Sequence, residues 1–486
     1  MLRKIRIALA TIFFTGITLL FLDFTGVVHL YLGWMAKLQL LPAILSLNVA
    51  VVLFFIIVTL LIGRTYCSVI CPLGVMQDCF SWIGGKVHKN RFRYTPAHTI
   101  VRYVVPSVFI VLMLAGLGSI AALIAPYSAY GRIATELFQP LWRGINNLLA
   151  YFAERADSYA FYHTDVWVKS GVTLAVAIVT FVVIGFLSFR WGRLWCNTIC
   201  PVGSFLGLLS RFALFRPVVA KDKCIGCHKC ERNCKSQCID IANHAVDTSR
   251  CVACMDCLSV CPVGAIKIQR GAKVEVAVKT DTPNTGRRKF LVTTAAVGAG
   301  MALQAQEKSI DGGLASLGKK QIPERHTPLK PFGSQGVKHF SSACTACQLC
   351  VSGCPHRILR PSTALTTLMQ PEMGFEHHFC PPDCTRCSEV CPTGAIRPID
   401  AAAKSAISIG YAVAIPGNCL LAQGVNCNAC SRHCPTGAIE VVPGDAHPVV
   451  TVNEALCMGC GACEYYCPAR PVGAIYVEGR EVHTSL

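Results

Sequence analysis

Cys224-Ile225-Gly226-Cys227-His228-Lys229-Cys230-Glu231-Arg232-Asn233-Cys234 reads C-x2-C-x2-C-x3-C. Cys251-Val252-Ala253-Cys254-Met255-Asp256-Cys257-Leu258-Ser259-Val260-Cys261 repeats it, with Pro262 following. Three closely spaced thiols wrap one side of a cubane iron–sulfur cluster, and the more distant fourth closes the neighbouring one. A zinc site needs only paired C-x-x-C units, so the third cysteine of each triplet and the trailing Cys-Pro count against zinc. Cys224, Cys227 and His228 also satisfy the C-x-x-C-H haem-attachment motif. Haem would consume two cluster ligands, so His228 reads as incidental. Cys238 lies outside the pattern and reads as an inert thiol.

This is the spacing of bacterial ferredoxins, and four more groups follow it. They are Cys344, Cys347, Cys350, Cys354; Cys380, Cys384, Cys387, Cys391; Cys419, Cys427, Cys430, Cys434; and Cys457, Cys460, Cys463, Cys467. The second and third begin with a stretched spacing, where a loop should bulge. Each ends in Cys-Pro, and Cys-Pro-x-Gly-Ala-Ile recurs at 261–266, 391–396 and 434–439, with a longer form from Cys467 to Gly473-Ala474-Ile475. Proline stops the element, glycine turns the chain and isoleucine packs beside the cluster. Six [4Fe-4S] clusters are expected. By ferredoxin logic Cys224, Cys227, Cys230 and Cys261 bind one, and Cys251, Cys254, Cys257 and Cys234 another. For the later groups the expectation is outer-with-outer exchange. The Cys344 triplet takes Cys467, the Cys457 triplet Cys354, the Cys380 triplet Cys434 and the Cys419 triplet Cys391. Neighbour-with-neighbour exchange is the alternative.

Of 486 residues, 53% are hydrophobic and 15% charged, against roughly 25% charged in an average soluble domain. Disorder is excluded and a purely soluble chain disfavoured. Thirty cysteines in a chain this long are not a disulfide scaffold. The formal charge is +18, and six oxidised clusters with their thiolates would lower it to about +6. Much of the basic excess then screens cluster charge. No aromatic-interleaved basic patch points to nucleic acid.

Four apolar stretches, Ile7–Leu22, Leu38–Gly63, Val104–Ala125 and Gly171–Phe189, predict four transmembrane helices in a bilayer. A signal peptide is the alternative for the first, but no small-residue cleavage site follows. Residues 64–103 carry Arg64, Lys86, Lys89, Arg91, Arg93 and Arg102 against Asp78 alone, whereas residues 126–169 carry four basic and four acidic residues. The positive-inside rule then puts the N-terminus and residues 64–103 and 190–285 in the cytoplasm. Two helix pairs end alike. Gly63-Arg64-Thr65-Tyr66-Cys67-Ser68-Val69-Ile70-Cys71-Pro72-Leu73-Gly74 aligns with Gly192-Arg193-Leu194-Trp195-Cys196-Asn197-Thr198-Ile199-Cys200-Pro201-Val202-Gly203, sharing Gly, Arg, Cys, Ile, Cys, Pro and Gly. The membrane part therefore reads as two duplicated halves. A four-residue step puts both sulfurs on one helical face, so Cys67, Cys71, Cys196 and Cys200 are expected to converge as a further thiolate site for a metal or cluster. Asp23 stands where the first apolar run should continue, and His29, Trp34 and Lys37 follow. Asp23 or His29 is the expected proton acceptor for quinol, with a helix cap as the bland alternative for Asp23 and an interfacial anchor for Trp34.

The expected architecture is an α-helical membrane domain (1–215), an α+β two-cluster ferredoxin-like domain (216–270), a linker (271–340) and an α+β four-cluster ferredoxin-like domain (341–486). Arg287-Arg288 before an uncharged, Gly/Ala-rich run resembles a twin-arginine export signal. Export would place residues 307–486 outside.

On these motifs, residues 1–270 resemble the membrane ferredoxin NapH and its relatives NosR and CcoG. Residues 286–486 resemble the exported four-cluster ferredoxin NapG, through Arg287-Arg288, the four cysteine groups and Gly410-Tyr411-Ala412-Val413-Ala414-Ile415 leading into Cys419. One departure is Lys235, where proline usually follows the fourth cysteine. The resemblance implies an inner-membrane, multi-pass quinol dehydrogenase subunit of anaerobic respiration. It would oxidise menaquinol or another quinol and pass electrons through its clusters to a periplasmic reductase or electron-carrier subunit. The alternative is a redox assembly or maturation factor for a metalloenzyme.

Overall fold

The computed structural model describes residues 2–88, 92–158, 160–270, 320–321, 323–444 and 447–486. They divide into two compact units that cut across the domain boundaries expected above. The twin-arginine segment at 287–288 lies outside the described residues.

One unit holds the described residues of Met1–Phe14, Val52–Pro106 and Ser170–Gln306. Its two repeats are built alike. A short helix (Thr65–Val69, Leu194–Thr198) carries the first cysteine, and a second helix (Pro72–Val87, Pro201–Ser210) starts on the proline after the next. Proline at the first helical position forfeits no hydrogen bond. The Gly171–Trp191 helix packs along Pro72–Val87, with the Phe80 ring against Gly185. Further on, strand Phe215–Val219 pairs antiparallel with Ile266–Arg270 and brackets the hairpin Ile239–Asp240/Ala245–Val246.

The other unit holds Thr15–Val51, Ser107–Lys169 and the described residues of Glu307–Leu486. Strand Ile407–Ala414 pairs antiparallel with Ile475–Ser485 and brackets the hairpin Ile439–Val442/Val449–Val452, the same strand–hairpin–strand plan. A further hairpin, Leu359–Pro361/Pro371–Met373, joins the first two of the later cysteine groups. Residues 323–340, expected to be linker, are packed here. Leu329, Phe332 and Phe340 are buried, and the Arg325 guanidinium donates to both carboxylate oxygens of Glu464 at 2.7 and 2.8 Å. A Pro/Gly-rich composition is a guide to turns and does not exclude such anchoring.

Two described helices, Leu2–Leu22 and Gly171–Trp191, are long and apolar enough to cross a membrane. Only 28% of the most apolar window of each is buried within the protein, so most of its apolar surface faces outward. The other two expected stretches are each broken into shorter helices. Leu38–Gly63 divides into Leu40–Leu45 and Val49–Ile62 around Leu47, whose φ is 53°. In Val104–Ala125 the Thr99–Leu114 helix ends before Gly116 (φ 76°), and Gly118–Ala121 follows. A left-handed residue ends a helix without changing its hydropathy.

Asp23 follows the Leu2–Leu22 helix, and its carboxylate caps the turn that opens the Val27–Leu32 helix. Its Oδ1 accepts from the Thr25 and Gly26 N–H groups (3.0 and 2.7 Å) and from the Thr25 hydroxyl (2.9 Å). Its Oδ2 accepts from the His29 N–H (3.1 Å) and lies 3.4 Å from an Arg386 nitrogen. An added Cβ on Gly26 would sit 2.8 Å from that guanidinium, and Gly26 itself has a φ of 95°. Burial alone would raise the Asp23 carboxyl, but the His29 side chain and the surrounding donors hold it well below the usual carboxylate range. The His29 Nδ1 is 3.7 Å from Asp23 Oδ2, beyond hydrogen-bond length. The expected proton acceptor at Asp23 thus gives way to a structural anchor, because every donor here stabilises the charged form. Asp23→Ala should cost roughly 3–5 kcal/mol by stranding buried partners. A carboxyl lowered in the fold contributes fully above its unfolded pKa of about 3.9 and loses that contribution as pH falls below it. Thermal unfolding of the wild type and Asp23→Asn should therefore differ at pH 7 and converge on acidification.

Candidate metal centres

The cysteine loops are wound by left-handed residues at fixed places. Gly226 and His228 flank Cys227; Ala253 and Met255 flank Cys254; Ala346 and Gln348 flank Cys347; Gly459 and Gly461 flank Cys460. All eight have positive φ. Alternation of this kind turns successive N–H groups toward one concave side, which suits anionic sulfur. The two stretched groups lack it: Thr385 (φ −110°) and Asn428 (φ −130°) precede their third cysteines. The closing turns also repeat. Gly264, Gly394 and Gly437 have positive φ, the Ala265 N–H donates to the Cys261 sulfur at 3.2 Å, and Ala474 does the same to Cys467 at 3.3 Å. Ile266, Ile396, Ile439 and Ile475 are all buried.

Six quartets of thiols come together. Cys224, Cys227, Cys230 and Cys261 line one space, and Cys234, Cys251, Cys254 and Cys257 another. Both groupings are those expected. In the later groups the outer-with-outer expectation is corrected. Cys391 lies within electrostatic reach of Cys344, Cys347 and Cys350. Cys354 lines one space with Cys380, Cys384 and Cys387. Cys434 faces Cys457, Cys460 and Cys463. Cys467 lines one space with Cys419, Cys427 and Cys430. Sequential neighbours thus exchange their fourth cysteine. The hairpins Leu359–Pro361/Pro371–Met373 and Ile439–Val442/Val449–Val452 close each pair over a short loop, which costs less chain entropy than joining the outermost groups.

The four later quartets form a sequence in space. The Cys344 and Cys380 quartets share exchanged cysteines, as do the Cys457 and Cys419 quartets. Between the two pairs, the Cys380 N–H donates to the Cys460 carbonyl at 2.9 Å. A ladder of rings spans the same junction: His356 lies 4.7 Å from His378, His378 5.3 Å from Tyr465, Tyr465 4.9 Å from Tyr466, and Tyr466 3.8 Å from His433. Each of these residues lies within two positions of a cysteine, yet none stood out in the sequence. Cys344, Cys347 and Cys350 are buried, whereas Cys419, Cys427 and Cys430 are half-buried.

These residues fit iron–sulfur clusters. Among the described residues no three Cys, His, Asp or Glu side chains close on a single-ion position. The sulfurs stand around a space instead, as a cubane requires. Buried cations answer their charge: Lys404 is 1% exposed and donates to the Cys380 sulfur at 3.0 Å and to the Pro381 and Cys384 carbonyls. Cys238, expected to be inert, places its sulfur 3.5 Å from that of Cys234 and lines the same space.

The repeats bring Cys67, Cys71, Cys196 and Cys200 into mutual electrostatic reach, all four buried. Two buried arginines cross between the halves. The Arg64 Nη2 is 4.0 Å from its own half's Cys67 sulfur and donates to the Cys196 carbonyl at 3.1 Å. The Arg193 Nη1 is 3.9 Å from Cys196 sulfur and donates to the Cys67 carbonyl at 2.8 Å. Arg193 also pairs with Asp78 at 2.7 Å, but the other hydrogen-bond partners of Arg64, Asn197 and the Ser249 carbonyl, are neutral. A buried cation without a carboxylate favours thiolate at this site. Lys235, the residue in place of proline, docks here. Its carbonyl accepts from the Arg193 N–H at 2.8 Å, and its ammonium lies 3.0 Å from Asp78 and 3.2 Å from Asp256.

A family model described as a 4Fe-4S binding domain matches residues 47–90 and 173–219, the two repeats. A 4Fe-4S dicluster domain matches 223–265 and 425–470. The ferredoxin-type protein NapG of Escherichia coli is 32% identical over 38% of this chain and 82% of its own length. An uncharacterized protein of Methanocaldococcus jannaschii is 38% identical over 21% of this chain, and the putative electron transport protein YccM of Escherichia coli is 24% identical over 46%. The chain spans 41% and 56% of the lengths of these two. No solved structure matches. The fold and sites define an iron–sulfur electron-transport protein. The chain belongs to the ferredoxin-type proteins of which NapG is one.

The shared glycines of the repeat test the crossed-arginine geometry. A Cβ on Gly74 would sit 2.3 Å from the Cys67 carbonyl oxygen and 2.7 Å from the Arg193 Nη1, and one on Gly203 2.2 Å from the Cys196 carbonyl oxygen and 3.0 Å from the Arg64 Nη2. Gly85, in the same helix as Gly74, has nothing within 4 Å. Gly74→Ala should destabilise by about 1–3 kcal/mol or more, while Gly85→Ala should be neutral or stabilise by about 0.5–1 kcal/mol. Unfolding midpoints of the detergent-solubilised protein read both.

Proposed function

We propose that this protein spans the cytoplasmic membrane, oxidises quinol and conducts electrons through its clusters to a soluble reductase or carrier. The observation that carries the reading is the serial order of the four later quartets, from the Cys344 quartet, three of whose cysteines are buried, to the Cys419 quartet, three of whose cysteines are half-buried. The buried end adjoins the Pro126–Ile133 helix: a Cβ on Gly131 would sit 2.3 Å from the Cys347 carbonyl oxygen, and Tyr127 lies within reach of Cys347 and Cys391. The half-buried end offers a soluble partner access.

The division of the chain supports the membrane topology. Residues 64–103 and 190–270, read as cytoplasmic from their basic charge, belong to one unit. The segments 23–37 and 126–169, which a four-span chain with those loops inside would leave outside, share a unit with the four-cluster domain. The chain passes between units at 14–15, 51–52, 106–107 and 169–170, in or beside the four apolar stretches. In this reading the domain from residue 320 on is periplasmic and the two-cluster domain cytoplasmic, as in a fusion of NapH-like and NapG-like parts. Menaquinol is the quinol that the resemblance favours.

Six clusters at the ferredoxin quartets, and a seventh centre at Cys67, Cys71, Cys196 and Cys200, would supply one-electron uptake and release without protons. The chain's own residues hold the sulfurs, neutralise them with Lys404, Arg64 and Arg193, and exclude water from the buried quartets. Anaerobically purified protein should carry about 28 iron atoms, falling to about 24 in Cys67→Ser/Cys196→Ser. A wild-type value near eight would sink the reading of the ferredoxin quartets. In nanodiscs, a short-chain menaquinol should bleach the cluster absorbance; failure of quinol where dithionite succeeds would overturn quinol oxidation.

A further inference from the structure

The oxidation of quinol releases protons as well as electrons, and Asp23 is committed elsewhere. The element beside the Cys347 loop holds another carboxylate. The Pro126–Ile133 helix continues into a π-helical turn, Ala134–Phe138, and then into the Gln139–Arg155 helix. Single π turns are rare and recur at functional sites. Glu136 lies in this turn at 5% exposure, and its Oε1 has no hydrogen-bond partner among the described residues. Lys169, 8% exposed, is tied to the same turn: its Nζ donates to the Thr135 carbonyl at 2.9 Å and to Gln139 Oε1 at 2.6 Å. The Gln139 Nε2 in turn donates to the Ser352 carbonyl, in the loop between Cys350 and Cys354, at 3.1 Å. The turn is thus bolted to the cluster loop on one side and to a buried ammonium on the other.

Two further observations suit a lipid-soluble donor here. The Gln139–Arg155 helix turns polar residues onto its own neighbours, Asn146 donating to the Tyr162 carbonyl and Asn147 to the Thr164 carbonyl. Its opposite face, with Leu141, Ile145, Leu148 and Phe152, is exposed and apolar. Burial pushes the Glu136 carboxyl up, with Lys169 opposing, and pushes the Lys169 ammonium down, with Glu136 opposing. Arg143 is the other charge acting on Lys169, and Asp165 and Arg357 stand beyond it. A carboxyl raised toward neutral pH can both take and release a proton, which a carboxylate locked like Asp23 cannot.

We propose that Glu136, in the π turn that Lys169 braces beside the Cys347 loop, is the carboxylate that accepts the protons of quinol. This rests on the quinol-oxidising reading above. In each of two transfers a quinol O–H bond breaks, the proton goes to a Glu136 carboxylate oxygen and the electron to an iron–sulfur centre. Glu136 releases the first proton to water before taking the second, and quinone remains.

The test uses the full chain in anaerobic nanodiscs with a short-chain menaquinol, comparing wild type, Glu136→Gln and Glu136→Asp. Glu136→Gln should slow menaquinol-dependent bleaching by about 10²-fold or more, with iron content and dithionite bleaching unchanged, and Glu136→Asp should recover part of the rate. Redox-induced infrared difference spectra should contain a protonated-carboxyl band in the wild type that Glu136→Gln removes. An unslowed Glu136→Gln in a protein whose wild type is reduced by menaquinol overturns this inference alone. A wild type that menaquinol does not reduce overturns the quinol reading and this inference with it. Should Glu136→Gln lose iron, Glu136→Asp and the wild-type spectrum decide: no carboxyl band in the wild type overturns the assignment.

Discussion

Thiolate charge brought into a low-dielectric interior is the constraint to which most of this structure answers. A cubane with a 2+ core and four thiolates carries two net negative charges, and an interior charge is tolerated only when it is paired or hydrogen-bonded. The chain meets this in three ways. Left-handed residues turn backbone N–H groups inward in four of the triplets. Closing turns aim further N–H groups at the fourth sulfur, as at Cys261 and Cys467. Buried cations complete the compensation, with Lys404 at Cys380 and the two arginines between the repeats. The excess of basic residues is therefore partly internal, and a surface reading of +18 would mislead.

What was legible in the sequence was whatever spacing alone determines. Triplets, closing Cys-Pro turns and the duplicated motif follow from local geometry, and each appears where its spacing puts it. The exchange partners of the later groups were not legible, because a C-x2-C-x2-C-x3-C pattern is the same whichever neighbour closes it. Hairpin closure decides that, and the hairpins are short strands such as Leu359–Pro361 with little periodicity to read. The breaks in the apolar stretches were hidden for a related reason: Leu47 is left-handed yet carries no glycine signal. Asp23 looked like an acid at membrane depth, but its partners Thr25, Gly26 and His29 are so close in sequence that an Asx-type cap was equally written there. Glu136 went unseen because residues 126–169 balance four acids against four bases, and nothing in that count separates a buried carboxylate from a solvated one.

Duplication explains why the repeat shares the residues it does. Each arginine approaches its own cysteine's sulfur and the opposite cysteine's carbonyl, so one interaction is made twice by symmetry. Gly74 and Gly203 each leave room for the arginine arriving from the other half. Arg64, Cys67 and Gly74 therefore form one unit with Arg193, Cys196 and Gly203, and neither half is complete alone. Asymmetry enters only outside this unit. Asp78 neutralises Arg193 and has no equivalent at Arg64, while Lys235, in place of a turn proline, adds an ammonium that pairs with Asp78 and Asp256, a contact no proline could make. The departure from the usual Cys-Pro is thus a docking contact, made where the two-cluster loop meets the repeat.

The two ends of the series differ in burial: three of the four cysteines are buried in the Cys344 quartet and three of the four are half-buried in the Cys419 quartet. A cluster whose sulfurs are buried is shielded from water and from diffusing partners, so electrons leave it only toward a neighbouring cofactor. A half-buried one can exchange with a soluble protein. The Cys344 quartet is of the first kind and packs on Gly131 and Gln139, in the segment that carries the apolar outward face. The Cys419 quartet is of the second kind, in a stretched loop that lacks the tight left-handed winding of the regular triplets. Stretching the spacing relaxes the loop and opens the sulfurs at the end of the series. Cys384 and Cys387 of the other stretched group are half-buried as well, but there the Lys404 ammonium sits on the Cys380 sulfur and the ring ladder from His356 to His433 runs on to the next pair. The same sequence irregularity therefore ends the series in one place and joins two pairs in the other, and the difference lies in what the fold packs beside it.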